Sequence, residues 1–200
     1  DVEVDHAKAF SLITSSAEAG VKEAIKKLVS MYRTGEGVAR DYKMAIEWQR
    51  KLVTMLKQEY EKSPSEDSAD TYFWAMNSLG GFIYELRNIE KAKSIYAKMH
   101  EFSVSALKKY PESRVLKRDL SVSYNNRGAI CKAEGNLTKA KEYYEKSLKI
   151  DESLAKGTNT VEARRDLSVS YDKLGKIYQA EGNLTKAKEY YEKSLKIDES

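Results

Sequence analysis

The chain has 200 residues, 41% hydrophobic and 33% charged, with 35 basic and 31 acidic side chains and a formal charge of +4. That apolar content is too high for a disordered segment, and the balanced charge lacks the basic footprint of a nucleic-acid binder. A lone cysteine, Cys131, excludes an intramolecular disulfide and a thiolate metal cluster, and no apolar run approaches the ~20 residues that span a bilayer.

Two prolines and ten glycines beside abundant Ala, Glu, Lys, Leu and Tyr predict an all-α chain. Nine helices are expected, at 3–18, 22–33, 40–61, 66–86, 89–109, 112–133, 137–156, 160–180 and 184–200. Gly35-Glu36-Gly37 reads as a hairpin turn, since it lacks the Gly-Lys-Ser/Thr and preceding strand of a phosphate loop. Ser63-Pro64-Ser65 breaks the chain, Gly80-Gly81 marks close helix packing or close approach of a ligand backbone, and Pro111 suits a helix start. Gly135 and Gly182 stand where a left-handed residue ends a helix, and Asn136 and Asn183 then cap the next. Asn159 and Glu162 have the spacing of a capping box.

The 21 residues from Ala133 to Ser153 recur unchanged from Ala180 to Ser200, displaced by 47 positions. Ala45, Ala92, Ala140 and Ala187, each opening an amphipathic stretch, are separated by 47, 48 and 47 residues. Asp5–Ala9 aligns with Asp41–Ala45 at a shorter period of 36. Repeats of this length stack into solenoids, which bury a core between neighbouring units and expose a long surface.

Tyr171-x2-Leu174-Gly175-x2-Tyr178 followed by Ala187-x3-Tyr191 resembles the tetratricopeptide pattern W-x2-L-G-x2-Y then A-x3-F. Tyr124, Gly128, Ala140 and Tyr144 repeat the frame with Arg127 and Cys131 in place of Leu and Tyr, and Leu79, Gly80, Ala92 and Tyr96 form a weaker copy. The segment Ala24 to Lys51, with Leu28-x3-Tyr32, Gly35-Glu36-Gly37-Val38, Asp41, Ala45 and Trp48, resembles a Sel1-like repeat in which Val29 replaces the usual glycine. These resemblances imply a right-handed α-solenoid of antiparallel helix hairpins. Residues 1–62 would hold one partial and one complete Sel1-like unit, and 63–200 three long tetratricopeptide-like hairpins continuous with them. Because the chain begins within a helix and ends without a distinctive capping helix, we expect it to be part of a longer array or multidomain protein.

The resemblance also implies a function: holding a protein or peptide partner on the concave surface lined by the first helix of each hairpin. Between Ser121–Ser153 and Ser168–Ser200 there are 33 aligned positions and six differences, all in the first helix. Arg127/Leu174 and Cys131/Tyr178 share the stripe with Gly128/Gly175 and tune packing. Asn125/Asp172, Asn126/Lys173, Ala129/Lys176 and Lys132/Gln179 lie on the opposite face. Asn125, Asn126, Lys132, Asp172, Lys173, Lys176 and Gln179 are therefore candidate contacts for a ligand with exposed backbone and acidic character, because asparagine donates and accepts and lysine meets carboxylates. Upstream, Trp74, Asn77 and Tyr84 occupy the corresponding face. Asn126 and Lys173 fall where two residues of a carboxylate clamp would be, but Val169, Asn77 and Gly81 fill its other places, so a full clamp is not expected.

No enzyme, metal or cofactor signature emerges. His6 and His100 are 94 residues apart without a ligand cluster, and Cys131 has no histidine partner. Asn136-Leu137-Thr138 and Asn183-Leu184-Thr185 fit the glycosylation pattern, yet capping explains both asparagines. Nothing fixes the compartment; a cytoplasmic location is the default. An alternative reading is a sensor or regulatory segment whose effector domain lies outside this chain. A third is weak self-association through open repeat ends, otherwise a monomer.

Overall fold

The computed structural model describes the backbone of residues 6–158 and 160–198, and the side chains of 8–158 and 160–197. Nine helices run through them in chain order, with no strand among the described residues: α1 (His6–Glu18), α2 (Lys22–Thr34), α3 (Tyr42–Lys62), α4 (Glu66–Glu85), α5 (Ile89–Lys109), α6 (Arg114–Ala133), α7 (Leu137–Thr158), α8 (Val161–Ala180) and α9 (Leu184–Asp198). The all-α expectation holds.

The helix ends follow from turn chemistry. Gly35, Gly135 and Gly182 adopt φ of 84°, 80° and 76°, the left-handed region that glycine enters without a Cβ clash. Asn136 and Asn183 then accept from the backbone N–H of Lys139 and Lys186 at 3.0 and 3.1 Å, satisfying a donor that a helix start leaves orphaned. Ser65 and Ser68 form a reciprocal capping box at the start of α4. Pro111 does not begin α6; Ser113 caps it, its hydroxyl accepting from Leu116 N–H at 3.2 Å, because a hydroxyl can satisfy an orphan donor and a proline ring cannot. Asn159 lies outside the described residues, and Thr160 caps α8 by accepting from Ala163 N–H at 3.2 Å.

The helices form two compact units, Asp1–Asn88 containing α1–α4 and Ile89–Ser200 containing α5–α9. Within each, helices pack on their neighbours in the chain. In the first unit Ile25, Leu28 and Phe73 are fully enclosed, with Ala45, Leu52 and Met76 beside them in the core. Gln49 reaches across to donate to the Ala75 carbonyl at 2.9 Å, tying α3 to α4 with a buried polar group that is satisfied.

In the second unit the core joins Cys131, Ala140, Tyr144, Leu148, Leu174 and Ile177 from three helices, so α7 is clasped by α6 and α8. Gly128 makes the close α6–α7 approach possible: a Cβ there would meet the Tyr144 ring at 2.5 Å. Gly175 stands in the same relation to Tyr191, at 2.6 Å.

A polar seam runs through the same interfaces. Asp151 on α7 is 1% exposed and accepts hydroxyl hydrogen bonds from Ser121 on α6 and Ser170 on α8, both at 2.5 Å. Ser147 donates to the Ser121 carbonyl at 3.1 Å. One carboxylate therefore links its own hairpin to the next. Arg118 spans the same gap at the surface, pairing with Asp166 and Glu162 at the start of α8.

Candidate interaction surface

The face of α4 presents Trp74, Asn77 and Tyr84, spaced by three and seven residues and so aligned along one side of the helix. All three are half-buried. Trp74 packs its ring edge-on to Phe73, centroids 5.7 Å apart, and with Lys26, Gln49, Leu52, Asp70 and Ser78 it lines a groove of about 360 Å³. This face belongs to the first unit; the other sequence-predicted residues belong to the second.

On α6, Asn125 is 7% exposed, and its carbonyl Oδ1 has no hydrogen-bond partner. The sequence placed it on an open face; in the structure it is enclosed. Asn126 is half-buried and Lys132 is exposed. On α8, Lys176 and Gln179 are exposed and Asp172 is half-buried. Lys176 forms a one-turn ion pair with Asp172, and Gln179 accepts from the Tyr191 hydroxyl at 2.9 Å.

Lys173 differs from its neighbours. Its ammonium lies 5.8 Å from the centroid of the Tyr144 ring, and desolvation pushes its pKa down to about 8, against the opposing pull of the Asp151 carboxylate. It is a lysine held against the α7 surface rather than one extended into solvent.

The packing stripe is as the repeat alignment implied. Leu174 is fully enclosed, Tyr178 is 6% exposed and Cys131 8% exposed, while Arg127 lies over the Tyr143 ring at 4.7 Å from its centroid. Sequence reasoning missed the serine–aspartate seam, whose only signal was small polar residues recurring at helical spacing. Among the described residues no group of three or more His, Cys, Asp or Glu could hold a metal ion, and no helix is long and apolar enough to cross a membrane.

Units of neighbour-packed helices with glycine turns, small-residue crossings and a repeated interface define an α-helical repeat protein. Residues 119–200 match the tetratricopeptide repeat family and residues 1–21 and 28–51 match the Sel1 repeat family, so this chain carries Sel1 repeats followed by tetratricopeptide repeats. Both families are typically non-catalytic modules of protein–protein interaction. No curated protein matches the chain. Among solved structures, the apo form of RapI is similar at 14% identity with a TM-score of 0.68, covering 98% of this chain and 65% of RapI, so the chain spans under two thirds of that protein. BtubC (BKLC) from P. vanneervenii is similar at 17% identity and a TM-score of 0.55, covering 98% of this chain and 92% of BtubC. MamA is similar at 19% identity and a TM-score of 0.54, covering 98% and 90%. At such identities the likeness is one of fold.

Proposed function

We propose that this chain is a non-catalytic scaffold that binds a peptide or partner helix along the first helices of its tetratricopeptide hairpins. By repeat type we assign 1–62 to Sel1-like units and 63–200 to three longer hairpins. The observation that carries the reading is the distribution of change: all six differences between the two near-identical repeats fall on α6 and α8, while the second helices are unaltered. Two of the six serve packing, which leaves four that alter a face.

On that face Lys132, Lys176 and Gln179 are exposed to solvent, with Asn126, Asp172 and Lys173 more deeply set. Asn125 lies beneath that face with its Oδ1 enclosed, so it shapes the surface from below rather than meeting a ligand directly. Lysines here favour ligand carboxylates. In the first unit, Trp74, Asn77 and Tyr84 supply a separate face, with two aromatics of the kind that anchor interfaces.

Selection from a displayed peptide library against the whole chain tests this. Recovered peptides should be enriched in Asp and Glu, and should bind at least tenfold more weakly to a chain carrying Lys132→Glu and Lys176→Glu, two exposed positions whose change leaves the core intact. Peptides bound equally by the variant, or displaced only by changes on α7 and α9, would sink the reading.

A further inference from the structure

Tyr178 is held in a defined seat. Its ring stacks on Tyr190, centroids 5.3 Å apart and planes 21° from parallel, with the Lys141 and Lys186 ammoniums 4.4 and 5.2 Å from its centroid. Lys141 also reaches Glu181 at 3.5 Å.

Every partner of that ring recurs one repeat earlier. Lys93 stands 48 residues before Lys141, and Glu134, Lys139 and Tyr143 stand 47 before Glu181, Lys186 and Tyr190. Lys93 pairs with Glu134 as Lys141 pairs with Glu181. Only the ring is missing, because Cys131 occupies the position of Tyr178. In its place is a cavity of about 190 Å³ among α5, α6 and α7, lined by Lys93, Arg127, Cys131, Glu134, Lys139 and Tyr143.

We propose that this cavity binds the tyrosine side chain of an acidic peptide, the ring filling the space that Tyr178 fills in the next repeat. Size permits it, since a void of roughly 150 Å³ accepts a benzene ring. The chemistry favours it as well: the Arg127 guanidinium, lying over the Tyr143 ring, lines the cavity with a planar cation, Lys93 and Lys139 hold the repeat positions of the two lysines over Tyr178, and cation–π attraction strengthens when both groups leave water. Burial raises the Cys131 pKa, so the thiol stays neutral and forms an apolar floor. Three cations line the cavity against one carboxylate, so residues flanking the tyrosine should be acidic. Neither Asn125 nor Asn126 takes part, so this site is independent of the α6/α8 face.

The test is a titration of the ¹⁵N-labelled whole chain with the capped peptide Glu-Glu-Tyr-Glu-Glu and with the same peptide carrying alanine at its centre. Saturable shifts of the Arg127, Cys131, Lys139 and Tyr143 amides are expected with the tyrosine peptide, and at least tenfold weaker binding with alanine. Cys131→Tyr should rebuild the filled seat and weaken binding at least tenfold without lowering the melting temperature. Lys139→Glu, at an exposed position, should weaken it several-fold and keeps the test decisive if Cys131→Tyr misfolds. An absence of shifts with the tyrosine peptide, equal shifts with the alanine peptide, or unchanged affinity in both variants would overturn the proposal.

Discussion

Leu148 and Leu195 occupy the same position in helices of identical sequence from Leu137 to Asp151 and from Leu184 to Asp198, yet Leu148 is 9% exposed and Leu195 60%. The difference is α8, which covers α7. Leu148→Ala should cost about 2–4 kcal/mol, the range for emptying a packed leucine site, whereas Leu195→Ala should stay within about 1 kcal/mol. Urea midpoints of the two variants check it, and equal shifts would show that the solution fold does not stack as described.

The two glycine crossings form a second internal pair. A Cβ at either Gly128 or Gly175 collides with a tyrosine ring, but Tyr144 is 4% exposed and enclosed, while Tyr191 is only half-buried. Alanine adds up to about 1 kcal/mol of helix propensity in both cases. Gly175→Ala should therefore be near neutral, because the Tyr191 ring can swing aside. Gly128→Ala should lower the melting temperature by several degrees, as calorimetry would show.

Asp151 carries a raised pKa because burial disfavours its charge, partly offset by hydroxyl donors from Ser121, Ser170 and Ser147, with Asp166 adding repulsion. The folded chain therefore keeps this proton at pH values where an unfolded aspartate, at 3.8, has released it. Its stabilising contribution is complete below 3.8 and declines as pH rises through the folded value. Asp151→Asn still accepts from a serine and does not ionise, so its stability relative to the parent should increase from pH 4 to pH 7. Denaturant melts across that range decide the sign.

His100 behaves in the opposite sense. Desolvation, then the charges of Arg127 and Lys146, push its pKa from 6.5 to about 4, and its Nδ1 lies 2.8 Å from the Ser123 hydroxyl. Between those two values the unfolded chain binds more protons, so stability rises with pH from 4 to 6.5 and is lost on acidification through the same window. His100→Gln should flatten that slope. A His100 imidazole resonance, assigned by its loss in His100→Gln, that titrates near 6.5 in the folded protein would contradict the assignment.

The helix ends were legible because each is decided by one or two residues: Gly135 with Asn136 and Gly182 with Asn183 state their conformation locally. Pro111 misled because proline and serine both suit helix starts, and only the hydrogen bond to Leu116 N–H distinguishes them. The face of α6 was legible in direction but not in depth. Asn125 is polar in sequence and enclosed in space, and no pattern in a single chain reveals which side chains a neighbouring helix will cover. Ser121, Ser147 and Ser170 carry no sequence signal of burial for the same reason, although together they sequester a carboxylate.

Since α7 and α9 share the sequence of Leu137–Asp151 and Leu184–Asp198, α6 faces two partners of the same sequence during folding, and contact energy over that segment does not choose between them. Chain connectivity does. Only Glu134–Asn136 separates α6 from α7, whereas α9 lies more than a full hairpin away, so the cost of closing the loop favours the near helix. The repeat thus leaves its topology to loop-closure entropy: with a short turn the array assembles in order; lengthen that turn and exchanged pairings between repeats, or between chains, become competitive.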